Sequence, residues 1–183
     1  MASTKLTYTQ VTGSTNGTKI FTISAWVKRG AIGGGEPIWS SGTASTDSID
    51  FHIDSNDCCV FESWDNSVNP KITTTRKLRD PAAWYHIVIA VDTTESVSSD
   101  RMKMWINGVQ QTSFSASVYP SLNYDFPGTG VASDIAKIAV GTQASYTVKF
   151  WSGIMSHIHF VEGTAYTAST FGETDSTSGI WKI

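Results

Sequence analysis

Phe21-Thr-Ile-Ser-Ala-Trp-Val-Lys28 alternates without a break: Phe21, Ile23, Ala25 and Val27 fall on one face of an extended chain, and Thr22, Ser24, Trp26 and Lys28 on the other. A period of two sustained this long marks a strand with a buried face. The pattern recurs. Ile49-Asp-Phe-His-Ile-Asp54 directs Ile49, Phe51 and Ile53 one way, and Cys58-Cys-Val-Phe-Glu-Ser-Trp64 follows across Ser55-Asn56-Asp57, which predicts a hairpin. Trp84-Tyr-His-Ile-Val-Ile-Ala-Val91 is almost continuously apolar and predicts a central strand covered on both sides. In Asp100-Arg-Met-Lys-Met-Trp-Ile106, residues Met102, Met104 and Ile106 share one face, Lys103 and Trp105 the other. Asn107-Gly108 is the strongest two-residue hairpin signal, and Val109 begins the return strand. Ile135 to Val140 and Ile154 to Val161 complete the set, and no segment holds the 3.6-residue stripe of a helix.

Composition agrees. The chain has 183 residues, 40% hydrophobic and only 16% charged, with seven Trp, six Tyr and eight Phe. That is unlike a disordered chain, and Ser and Thr, about a quarter of the residues, suit strands and turns. A formal net charge of -3 argues against nucleic acid as a partner. No apolar run reaches the ~20 residues of a membrane helix, so no membrane partner is expected, and the first residues lack the apolar stretch of a secretory signal. Cys58 and Cys59 are adjacent, point to opposite faces of a strand and read as free thiols. Gly33-Gly34-Gly35 and Pro120 to Gly130 read as loops within one unit. The expected fold is all-β: an antiparallel two-sheet β-sandwich of jelly-roll type over residues 1–171, followed by a C-terminal tail, 172–183.

The order of Phe-Thr-Ile-Ser-Ala-Trp-Val-Lys (21–28), Ala-Trp-Tyr-His-Ile-Val-Ile-Ala-Val-Asp (83–92), Met-Lys-Met-Trp-Ile-Asn-Gly-Val (102–109), Ala-Val-Gly (139–141) and Trp-Ser-Gly-Ile-Met-Ser-His-Ile-His-Phe (151–160) resembles the laminin-G-like, concanavalin A-like jelly-roll family. More narrowly, Thr-Thr-Thr-Arg-Lys-Leu-Arg-Asp-Pro (73–81) and Phe-Gly-Glu-Thr-Asp-Ser-Thr-Ser-Gly-Ile-Trp-Lys (171–182) resemble a subgroup of structural and tail-associated proteins of marine tailed bacteriophages. The resemblance implies a non-catalytic structural protein on the virion surface, made in the host cytoplasm, as a capsid decoration or tail-fibre adhesion domain. Its implied partners are other virion proteins, copies of itself, or host-surface polysaccharide. An extracellular carbohydrate-binding module is the alternative, and a glycan-degrading enzyme a remote one.

Some glycosidases of this fold carry Glu-x-Asp-x-x-Glu on one strand, which brings two carboxyls to about 5.5 Å for retaining hydrolysis. Glu173-Thr-Asp175-Ser-Thr-Ser178 lacks the final acid, and no nucleophile elbow, His-Glu-x-x-His or phosphate loop is present, so no enzyme and no catalytic residue is expected. Asp47, Asp50, Asp54 and Asp57 are weak calcium candidates that a solvated hairpin explains equally well, and no cofactor is assigned. His157 and His159 share a strand face at a spacing that suits zinc, but without an assigned third ligand they read as structural, as does His86 in the central strand. Outward aromatics suit ligand contact, because sugar C–H faces pack on rings. Trp105 beside Lys103, Trp64 at a hairpin end, and Tyr119 and Tyr124 in a loop are the contact candidates, with Trp39 and Trp151 bordering Ser-Gly turns. The acidic 47–65 stretch and the basic Lys71, Arg76, Lys77 and Arg79 form opposite patches that suit docking.

Overall fold

The structure is a computed structural model that describes residues 6–9, 19–44, 47–65, 68–127, 137–142 and 150–183. The strands are β1 (Leu6–Thr9), β2 (Ile20–Lys28), β3 (Glu36–Ala44), β4 (Asp47–Ile53), β5 (Cys58–Trp64), β6 (Lys71–Lys77), β7 (Tyr85–Asp92) and β8 (Met102–Ile106). They continue with β9 (Val109–Gln111), β10 (Phe114–Val118), β11 (Lys137–Val140), β12 (Ile154–Glu162), β13 (Glu173–Thr174) and β14 (Trp181–Lys182). A seven-stranded sheet runs β1-β11-β3-β4-β5-β6-β10, a five-stranded sheet runs β12-β2-β7-β8-β9, and β13-β14 pair by themselves. Every pairing is antiparallel, and distant strands meet as neighbours, as the expected jelly-roll sandwich requires. The described helices are two single 3-10 turns, Ser98–Asp100 and Ala168–Thr170, and none is long and apolar enough to cross a membrane.

The alternating faces decide where the core lies. Phe21, Ile23, Ala25 and Val27 of β2, with Ile87, Ile89 and Val91 of β7 and Met104 and Ile106 of β8, meet Ile49, Phe51, Ile53 and Phe61 of the opposite sheet. Register keeps these side chains in rows: Ile23 faces Ile89, and Ile89 faces Met104. Phe21, Phe61 and Phe126 cluster with centroids 5.5–6.3 Å apart, separations at which edge-on and tilted aromatic pairs attract. The Asn107-Gly108 hairpin forms as expected, both residues at positive φ (49° and 76°), the geometry a right-twisted two-residue hairpin requires.

Strands β3, β6 and β10 lie outside the set read from the sequence. In β3 the register shifts twice, so both Ile38 and Trp39 turn inward; Trp39 is buried against Phe160 and is not a rim residue. β6, Lys-Ile-Thr-Thr-Thr-Arg-Lys, has one apolar residue, Ile72, and β10, Phe-Ser-Ala-Ser-Val, alternates but is a short sheet edge with its own register shift. On β12, His157 takes φ 46° within a register shift between Ser156 and His159. The extra residue removes the simple two-residue relation between the histidines: Ser156 and His159 lie opposite Trp26 and Ser24, and His157 belongs to the bulge. The sequence-predicted strand start at Ile135 lies outside the described residues.

The stretch from Gly163 onward, which includes the segment 172–183 outlined as a tail, lies on the outer face of the five-stranded sheet. It is pinned at its start: the Gly163 N–H donates to the Ile20 carbonyl at 2.7 Å, and Thr22 Oγ1 donates to the Thr164 carbonyl and accepts from the Tyr166 N–H, both at 2.8 Å. Ala168, Phe171 and Trp181 then cover Val88, Ala90 and Trp105, making a second, smaller apolar cluster.

Candidate ligand groove

The outer face of β2 and β7 begins as a cross-strand pair, Trp26 opposite His86, with rings nearly parallel and centroids 4.8 Å apart. The indole N–H of Trp181 donates to His86 Nδ1 at 2.9 Å, while Nε2 lies 2.9 Å from Ser24 Oγ. Since Nδ1 must accept, the ring proton sits on Nε2 and points to the serine. Burial, with a smaller contribution from His159, lowers the His86 pKa to about 4, which keeps it in this neutral form. Sequence reasoning placed His86 correctly as a hydrogen-bonded interior histidine.

Trp181 reaches His86 because Gly108 leaves room. A Cβ on Gly108 would stand 2.2 Å from the Trp181 ring, and the residue's φ of 76° already favours glycine. The β13–β14 hairpin is held by Asp175, whose Oδ1 accepts the N–H groups of Thr177 and Ser178 and the Ser178 hydroxyl. Lys182 Nζ lies 2.9 Å from Asp175 Oδ2 and 3.5 Å from Glu173 Oε1. The Ser178 N–H, then Lys182, hold the Asp175 carboxyl at about 2, and Asp175 in turn raises the Lys182 pKa.

Between this hairpin and the sheet lies a groove of about 770 Å³. Trp26, Asn107 and Ser156 line it from the sheet side, with Trp84 and Val109 at the rim, and Thr174, Gly179, Ile180, Trp181, Lys182 and Ile183 line it from the hairpin side. Trp26 Nε1 is buried with no hydrogen-bond partner. Asn107 Oδ1 accepts the His86 backbone N–H at 2.7 Å, which leaves the NH₂ as its donor end. Trp84 is 38% exposed, a ring offered at the surface. A preformed concavity walled by rings with a few polar donors is the common form of a small-ligand site.

The sequence-predicted contact residues divide differently. Trp105 is 7% exposed, closed over by the C-terminal segment; it stabilises that cover and presents no free face. Lys103 pairs with Asp100 at 3.1 Å and shares a smaller pocket, about 250 Å³, with Tyr119. Trp64, 42% exposed, ends β5 beside Asp65, to which the Tyr124 hydroxyl donates; the Tyr124 ring packs edge-on against Phe126. These candidates therefore fall at separate places, and none lines the groove. The loop carrying Tyr119 and Tyr124 is also tied down: Arg101 donates to the carbonyls of Glu95, Ser96 and Pro120, and Phe126 enters the core. Trp181 was missed because its partner, His86, lies 95 residues away in the sequence, and Trp84 because only the returning hairpin makes its surroundings a groove.

The acidic candidates have other uses. Asp57 is buried between Arg29 (2.8 Å) and Arg79 (3.0 Å) and accepts the Gly33 N–H. Burial raises its pKa, but the Gly33 N–H and the two guanidiniums together outweigh this and hold it at about 2. Asp54 Oδ1 accepts the N–H groups of Asn56 and Cys58 and shapes the turn. Asp50 is buried mid-strand in β4, and the side chain of Asp47 lies outside the described residues. Among the described residues no group of three or more His, Cys, Asp or Glu gathers to hold a metal ion. The opposed charge patches meet each other across β5 and β6, Glu62 with Lys71 at 2.7 Å and Asp57 with Arg79. Both cysteines are free and buried, and burial raises both thiol pKa values.

Sheets and crossovers together define an antiparallel jelly-roll β-sandwich. The chain belongs to the concanavalin A-like lectin/glucanases superfamily, whose family model matches residues 3–162. The match ends with β12, so the groove residues from Thr174 onward lie beyond it. No curated protein matches the chain in sequence. Among solved structures it is similar to the native heptameric SAP-like pentraxin of Limulus polyphemus (15% identity, 91% of this chain and 72% of that one, TM-score 0.61). It is also similar to domain 4 of AbnA, a GH43 extracellular arabinanase of Geobacillus stearothermophilus, in complex with arabinotriose (20%, 81% and 63%, 0.59). A third is the CBM40 of Ruminococcus gnavus IT-sialidase bound to alpha2,3 sialyllactose (12%, 85% and 81%, 0.56). At these identities the likeness is one of fold.

Proposed function

We propose that this chain is a non-catalytic carbohydrate-binding domain whose ligand lies in the groove between the five-stranded sheet and the C-terminal hairpin. The observation that carries this reading is the set of Trp26, Trp84 and Trp181 around one preformed groove with an unpartnered indole N–H in its wall. Rings supply area for sugar C–H faces, and the donors meet hydroxyls. Two similar folds are domains of carbohydrate-active enzymes with oligosaccharides bound, which supports the ligand class. The absence of turnover is supported by Glu173 and Asp175, the nearest approach to a catalytic pair, which both serve Lys182 on an exposed hairpin. A glycan array with the full chain and a Trp84→Ala variant tests the reading: binding by the parent and its loss in the variant are expected. Failure of the parent on every glycan removes the reading.

Attachment to a bacteriophage particle, as decoration or tail-fibre adhesion domain, is a second reading that the sequence resemblance of 73–81 and 171–182 supports. Its partners would be virion proteins, further copies of this chain, or host polysaccharide bound in the groove. Density for the domain on a purified particle is the expected result, and its absence from the particle overturns this setting without touching the groove.

A further inference from the structure

Resting on that reading, we infer that the groove selects neutral sugars and rejects carboxylated ones. Among the described residues that line it, Lys182 alone has a charged side chain, and that ammonium already answers two carboxylates, Asp175 at 2.9 Å and Glu173 at 3.5 Å. The side chains of the hairpin therefore hold one negative charge in excess. Recognition of a sugar carboxylate calls for an unengaged cation or several converging N–H donors. The N–H groups that converge here, those of Thr177 and Ser178, point at Asp175 instead. An acidic sugar would meet a lysine in use and the repulsion of the surplus carboxylate, an arrangement that discriminates by disfavouring the wrong ligand. A neutral sugar meets none of this. Its C–H faces pack on Trp84 and Trp181 and on the aliphatic rim of Val109 and Ile180, while its hydroxyls take the Trp26 indole N–H and the Asn107 amide.

The test is calorimetric titration of the full chain at about pH 7.5, where an ordinary histidine is neutral. The ligands are pairs of oligosaccharides of equal length and linkage, one neutral and one carrying a carboxylate, a glucan against its uronic acid counterpart and a lactoside against its sialylated form. The neutral member is expected to bind at least about tenfold more tightly. Glu173→Gln, which removes the surplus charge and spares the Asp175 turn that holds the hairpin, is expected to bring the acidic member to within about threefold while leaving the neutral affinity in place. Equal or tighter binding of the acidic member, still abolished by Trp84→Ala, overturns the selectivity and leaves the groove as a sugar site. Binding of neither member, in parent and variants alike, overturns the sugar reading itself.

Discussion

The two faces of the five-stranded sheet are built by opposite means. Its inner face meets another sheet, and the residues that meet there, Ile23, Ile89, Met104 and their neighbours, are fully enclosed by partners from many strands. Its outer face is closed by one late stretch of chain that touches down at Thr22, Val88, Trp105 and His86. The first arrangement is redundant, because each buried side chain has several neighbours that hold it. The second depends on a few contacts in series, so it is the face that can be undone by a single change and the one that leaves a groove.

The sharpest way to expose that difference is to compare two residues of β7, Ile89 and His86. Ile89→Ala, on the inner face, is expected to cost about 2–5 kcal/mol in urea titration, from lost transfer energy and the cavity left behind. A near-neutral result would show that the faces are assigned the wrong way round. Acid should attack the outer face first. The unfolded chain takes up a proton on His86 near 6.5, the folded chain only near 4, so between these values the unfolded state holds more protons. Stability is thus expected to fall as pH drops from 6.5 to 4, by up to about 3 kcal/mol, with a change in tryptophan emission as Trp181 leaves His86. A His86→Asn variant should lose this slope, and an unchanged slope would place the titration elsewhere.

Gly108→Ala strikes the same contact at neutral pH, through strained φ and the collision with Trp181. A loss of about 1–3 kcal/mol is expected, together with weaker glycan binding. Gly34→Ala, where an added Cβ meets nothing and φ is ordinary, serves as the neutral control. The smallest effect belongs to Trp84→Ala, whose ring is exposed at the rim: a change within about 0.5 kcal/mol in stability, with ligand binding lost. A variant that unfolds would mean the ring is holding the sandwich together.

What the sequence made legible follows from the same contrast. β2, the β4–β5 hairpin, β7 and the Asn107-Gly108 turn could be read because each is specified locally, by alternation or by a dipeptide that tolerates positive φ. β3 and β6 escaped notice, one because two bulges break its period, the other because Thr73, Thr74 and Thr75 hide a single inward Ile72. For Trp105 the face was right and the conclusion was not, since nothing near residue 105 announces that Phe171 and Trp181 will return to cover it. The groove is made of such returns, and periodicity carries no information about them.

The boundary between the shared family pattern and the rest of the chain falls at Glu162, ahead of everything that builds the far wall of the groove. Sandwich and wall are therefore separable in sequence. Diversity introduced into the turn from Ser176 to Ile180, which makes few demands on the core, would vary the wall of the groove while the frame keeps its register. In this architecture the sandwich and the segment that walls the groove can vary independently of each other.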